Sequence, residues 1–189
     1  MSEPEVRDHV DEILLAWANL RPELDPSSIG VIGRVLRAAR LLTREIETEL
    51  GRFGLGTAEF NALSALRRQD PPYELTPTEV SEALLFTSGG LTKLLERLER
   101  AELVIRVPDE NDRRGVRVIL TRKGEEVHEA AMRAHLENQE RLIASLGPEE
   151  REAIAAGLKK LLISLDIDWH RRQGSASVHG GRSAAKDDA

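Results

Sequence analysis

Arg113 and Arg114 stand side by side in the turn-forming run PDENDRRG, between two segments rich in β-branched residues. A guanidinium is planar, permanently charged and weakly hydrated, so two of them at a hairpin tip suit insertion into a narrow, phosphate-lined groove. Upstream, Thr87, Ser88, Gly89, Gly90, Thr92, Lys93 and Arg97 bring hydroxyls, unobstructed backbone and two cations to the start and one face of a predicted helix. That set is suited to phosphate and base-edge contact. Glu96 falls on the same side and dilutes the positive charge.

The elements that must hold these groups can be read around them. Leu91, Leu94, Leu95 and Leu98 recur at i, i+3, i+4 and i+7, a stripe that should face a core. Leu103–Val107 and Val116–Thr121 read as two strands around the arginine tip, where Asp109 and Asp112 are placed to order the loop and pair with an arginine. Just before, Thr76-Pro77-Thr78-Glu79 spells a capping threonine, a proline at the first helical position and a glutamate closing the box. Two short helices followed by a hairpin predict a winged helix-turn-helix, with residues 87–121 as its recognition helix and wing.

Longer helices flank this unit. Val6, Val10, Ile13, Leu14, Trp17 and Leu20 share one face of an N-terminal helix that Pro22 and Pro26 end. Ser28–Leu50 carries Ile32, Val35, Ala39, Leu42, Ile46 and Leu50 near heptad spacing. Thr57 is expected to cap a third helix with Phe60, Leu63 and Leu66 inward, and Thr121 a long helix reaching about Leu146. A last helix, from Pro148 to about Trp169, has Ile154, Leu158, Leu161, Leu162 and Leu165 on one side. The expected organisation is an extension over 1–27, a winged-helix domain over 28–170, and a disordered tail over 171–189. The fold class is α+β, mainly α, with long flanking helices; the resemblance described below makes them dimerisation helices.

Composition narrows the function classes. The chain of 189 residues has 40% hydrophobic and 32% charged residues, with no apolar run long enough for a membrane span. With no cysteine, thiolate zinc sites, disulfides and thiol redox sensing are excluded. The acidic N-terminus lacks the pattern of a secretory signal, so a cytoplasmic location is expected. Net charge is −6, yet residues 87–123 are net positive, which fits a basic reader on an acidic body. Aromatics at 3% are too few for stacking on single strands. His128 and His135 lie on one predicted helix without the converging ligands a metal needs, and are expected on a solvated polar face. No G-x-S-x-G, P-loop or G-x-G-x-x-G pattern occurs, so neither enzyme activity nor a cofactor is expected.

The segment TSGGLTKLLERLERAELVIRVPDENDRRGVRVILTRKG resembles the recognition helix and wing of MarR-type transcriptional regulators, including a D-x-x-D-R-R signature at Asp109, Asp112, Arg113 and Arg114. The likeness spans roughly residues 29–167. It implies an obligate homodimer on pseudo-palindromic double-stranded DNA, with the first and last helices of both subunits interlocked. A repressor released by a small molecule is the expected mode. The N-terminal extension resembles a branch with an extra helix over the dimer interface. In urate-responsive members of that branch a tryptophan, an aspartate and two arginines hold the anionic purine. Trp17 and Arg106 match here, but Asn61 stands at the aspartate position and Leu94 at the other arginine position. Without that charge pair urate is not expected, which leaves a small aromatic or apolar effector, or none, with Trp17 favoured as an interface anchor. The competing expectation is a dimeric helical scaffold that does not read DNA.

Overall fold

Asp8 accepts hydrogen bonds from the amides of Val10 (2.8 Å) and Asp11 (2.9 Å), and Asp11 accepts one from the Asp8 amide. This reciprocal box starts α1 (His9–Leu20) by satisfying amides that have no partner within the helix. A computed structural model describes residues 6–84, 88–109, 112 and 115–179; Thr87, Arg113 and Arg114 lie outside the described residues. The chain forms two compact units, Met1–Glu140 and Arg141–Ala189.

In the first unit α1 lies against α2 (Ser27–Gly51) through buried Val10, while Arg34 on α2 bonds both Asp8 and Asp11. Helix α3 (Thr57–Arg67) turns Phe60, Ala62, Leu63, Ala65 and Leu66 inward, as its periodicity predicts. Its cap is not Thr57: Gly56 holds the N-cap position and Thr57 is the first helical residue. The buried Thr57 hydroxyl oxygen has no partner among the described residues. The predicted box before α4 (Pro77–Leu84) is present. Glu79 accepts from the Thr76 amide at 2.7 Å, and the Glu79 amide donates to the Thr76 hydroxyl at 3.2 Å.

Helix α5 (Ser88–Arg100) buries Leu91, Leu94, Leu95 and Leu98 against this framework. Strands β2 (Val104–Pro108) and β3 (Val116–Leu120) pair antiparallel, with Arg106 opposite Val118 and Val107 opposite Arg117. Val118 and Leu120 point into the core, so Arg117 and Ile119 occupy the other face. A third strand, β1 (Glu74–Leu75), has no counterpart in the sequence reading; it pairs with β3 to give the order β1-β3-β2. Two residues carry no periodicity, and their pairing depends on a partner far along the chain.

Thr121 caps α6 (Arg122–Leu142) as expected, its hydroxyl accepting from the Gly124 amide at 2.9 Å. The buried positions of α6 are only partly apolar. They are Gly124, His128, Ala131 and Asn138, which corrects the solvated face expected for the histidines. His128 is buried, bonded through Nε2 to the Ser64 hydroxyl (2.9 Å) and stacked on Phe60, and His135 tilts against the same ring. Both imidazoles are held below the ordinary histidine pKa chiefly by burial. In the second unit α7 (Pro148–His179) continues past Trp169 as helix, in place of the tail expected from 171. Nothing between 171 and 179 is a proline, and extending a formed helix is far easier than starting one.

Candidate nucleic-acid interface

With its leucines locked in the core, α5 has one orientation, and the face opposite them presents Thr92, Lys93, Glu96 and Arg97 to solvent. Ser88, Gly89 and Gly90 form its first turn, where backbone amides have no helical acceptor. Arg97 is not a free cation. Its Nε donates to Glu59 Oε1 at 2.6 Å, and Glu59, on the first turn of α3, is largely buried. This pair joins the two helices across the core edge. At the other end of α5, Glu99 accepts from Arg106 Nε at 2.8 Å. The bonded guanidinium holds the Glu99 carboxyl below the usual carboxylate range. Arg106 thus ties the last turn of α5 to β2.

The hairpin base is tightly organised. The Asp109 amide donates to the Gly115 carbonyl (3.0 Å), and the Gly115 amide donates to the Asp112 carbonyl (2.8 Å). A Cβ on residue 115 would lie 2.9 Å from Asp109 Cβ and 3.0 Å from that of Asp112, so glycine is required by the close approach. Asp109 pairs with an arginine, as its type and place predict, and among the described residues that arginine is Arg117, at 2.7 Å.

The three residues at candidate effector positions have separate surroundings. Trp17 is half-exposed and lines a shallow hollow with Leu24, Asp25, Pro26, Ser28 and Ile29. Asn61 is exposed on α3, and Arg106 is engaged by Glu99. Leu94, at the position of the second arginine, is fully buried. Among the described residues there is no cluster of three or more acids, histidines or cysteines able to hold a metal ion. The Glu59–Arg97 and Glu99–Arg106 ties escape sequence reasoning, because partners distant in sequence carry no local pattern.

A helix-turn-helix unit followed by a two-stranded wing defines a winged-helix protein, and comparison with known proteins narrows the class. A MarR family model matches residues 53–115. The HTH-type transcriptional regulator PecS of Dickeya dadantii is 33% identical over 152 residues, covering 80% of this chain and 92% of PecS. The crystal structure of AbsC, a MarR family regulator from Streptomyces coelicolor, superposes with a TM-score of 0.68 at 27% identity, over 76% of this chain and 97% of AbsC. Sco3205 from the same organism, a MarR family regulator solved in complex with DNA, gives 0.67 at 25% identity, over 75% and 93%. The chain belongs to the MarR family of winged-helix transcriptional regulators. The family and these relatives are regulators rather than enzymes.

Proposed function

We propose that this protein is a sequence-specific repressor that binds a pseudo-palindromic operator as a homodimer and is released by a small molecule. The observation that carries the reading is the two-sided α5, with one face immobilised by four buried leucines and the other offering Thr92, Lys93 and Arg97 beside a hairpin. In this reading Ser88, Gly89, Gly90, Thr92, Lys93 and Arg97 contact the major groove, Thr87 caps the helix, and Arg113 and Arg114 reach the backbone or minor groove. Sco3205, a structural neighbour, is solved with DNA, which supports the same use of the fold here.

Dimerisation is supported by apolar side chains left exposed on long helices. On α2 these are Val31, Ile32 and Leu36, and on α7 Ile154, Leu158, Leu162 and Leu165. Monomers seldom leave such surface uncovered. A dimer also sets two reading helices about 34 Å apart, one turn of DNA. Its two sites act together by effective concentration. Occupying an operator excludes polymerase, hence repression; an effector that alters the spacing of the two readers lowers affinity by population shift. The Trp17 hollow is the candidate effector contact, for an aromatic or apolar molecule. In this reading the protein acts on chromosomal DNA in the cytoplasm. No described helix is long and apolar enough to cross a membrane.

Selection of binding sites from a random duplex pool tests the reading. The expected product is an inverted repeat with half-site centres about 10 base pairs apart, or a multiple of that. Failure to enrich any motif would favour a dimeric scaffold that has kept the fold without reading DNA.

A further inference from the structure

Val104, Val118 and Leu120 root the hairpin in the core, but at its free edge it meets the rest of the first unit through a narrow mount. Strand β1 offers only Glu74 and Leu75 to β3, so two residue pairs link the hairpin's free edge to the segment preceding α4. So short a pairing is weak by itself. Arg117 lies on the outer face of the central strand β3. Its Nε donates to Asp109 Oδ2 (2.7 Å), just beyond the end of β2, and its Nη1 lies 3.7 Å from Glu74 Oε1 on β1. Glu74 pairs with Ile119, so Arg117 is its diagonal neighbour on one face, within reach of a long side chain. Glu79, which closes the α4 capping box, also feels the Arg117 charge.

We propose that Arg117 is a positioning residue that fixes the angle of the wing against the helix-turn-helix, by spanning all three strands from Asp109 to Glu74 beside the α4 cap. The inference rests on the DNA-binding reading above. Arg117 lies among these three carboxylates, so its loss removes a cation from an acidic cluster. The Asp109 side chain is almost wholly covered, at 8% exposure, and cannot turn to water without moving the hairpin base. Arginine suits the position because its fork reaches two acceptors in different directions; a lysine ammonium offers a single centre. Arg117 therefore acts through the wing's placement and does not itself touch DNA.

The test uses the full chain and the duplex that the wild-type protein enriches from a random pool, with two variants, R117K and D109N. R117K preserves charge. D109N removes a negative charge, so Coulomb repulsion alone would make it bind DNA more tightly. Both should instead bind roughly tenfold more weakly, with a salt slope shallower by about 0.9 for each phosphate the wing no longer reaches. Hydroxyl-radical protection at the outer ends of the site should fade, while methylation protection in the central major grooves under α5 persists. R117K equal to wild type, or D109N tighter than wild type, would overturn the proposal by making Arg117 a plain charge. So would parallel loss of both protections in step with the folded fraction, measured by thermal melting. Enrichment of no duplex by the wild-type protein would instead remove the DNA-binding reading on which the inference stands.

Discussion

Gly124 allows one substitution to test how the wing is seated on α6. A Cβ at this residue would lie 2.1 Å from the Leu103 carbonyl oxygen and 2.8 Å from Leu120 Cδ1. Carbon and oxygen normally approach no closer than about 3.3 Å, so Gly124→Ala must drive α6 and the Leu103 backbone apart by roughly 1 Å. The same carbonyl accepts from the Thr121 amide and hydroxyl, both at 3.1 Å, and the Thr121 hydroxyl accepts from the Gly124 amide. Separation therefore also stretches the two bonds from Thr121 to that carbonyl. Overpacking costs about 1–3 kcal/mol. Loss of such a hydrogen bond adds about 1 kcal/mol. The expected destabilisation is roughly 2–4 kcal/mol, a large share of the ~5–15 kcal/mol typical of a domain. Urea unfolding followed by circular dichroism reads it as a fall in midpoint at unchanged slope. Gly157→Ala on α7 is the matched control, because among the described residues nothing lies within 4 Å of where its methyl group would sit. It should be neutral or stabilise by up to about 1 kcal/mol. A Gly124→Ala midpoint equal to wild type, or a larger loss in Gly157→Ala, would refute the reasoning.

Leu94→Ala empties a fully buried position on α5 and should cost about 2–5 kcal/mol by urea unfolding; a loss below ~1 kcal/mol would mean the stripe is not packed as described. The histidines predict acid sensitivity. Burial lowers the pKa of His128 and His135 from 6.5, so below that pH the unfolded chain takes up protons that the folded core refuses. Stability is therefore complete above about pH 6.5 and declines as pH falls toward the folded-state values. His128→Gln should flatten that decline as pH falls below about 6.5, and an unchanged profile would contradict it. Lys93→Ala, on the exposed face of α5, should weaken operator binding and reduce the salt slope by about 1 if Lys93 meets a phosphate; unchanged binding would remove it from the interface.

Much of the fold is legible in the sequence because its cues are local. The Thr76–Glu79 box, the Leu91–Leu98 stripe, the Thr121 cap and the alternation of β3 each announce themselves within a few residues, and each appears in the structure. What escapes depends on tertiary partners. Strand β1 exists because β3 offers it an edge. The inward face of α6 is written in His128, Ala131 and Asn138, types that look solvent-facing until Phe60 and Ser64 arrive from α3. Recurrence of His128, Ala131 and His135 at i, i+3 and i+7 is the available signal, hidden by the polarity of the side chains. In the candidate interface, residue types define the polar face of α5, but its bracing does not show, since Glu59 and Arg97 are separated by 38 positions.

A salt titration of the selected duplex, with dimer confirmed by light scattering, decides whether the protein reads DNA as a paired winged helix. If both subunits lay an α5 polar face and a wing on DNA, log Kd should rise linearly with log salt, with a slope of about 0.9 per phosphate contact and at least ~4 contacts in total. The variants Lys93→Ala and Arg113→Ala should each lower it. A flat response, or equal affinity for the selected duplex and its scrambled counterpart, would contradict the account.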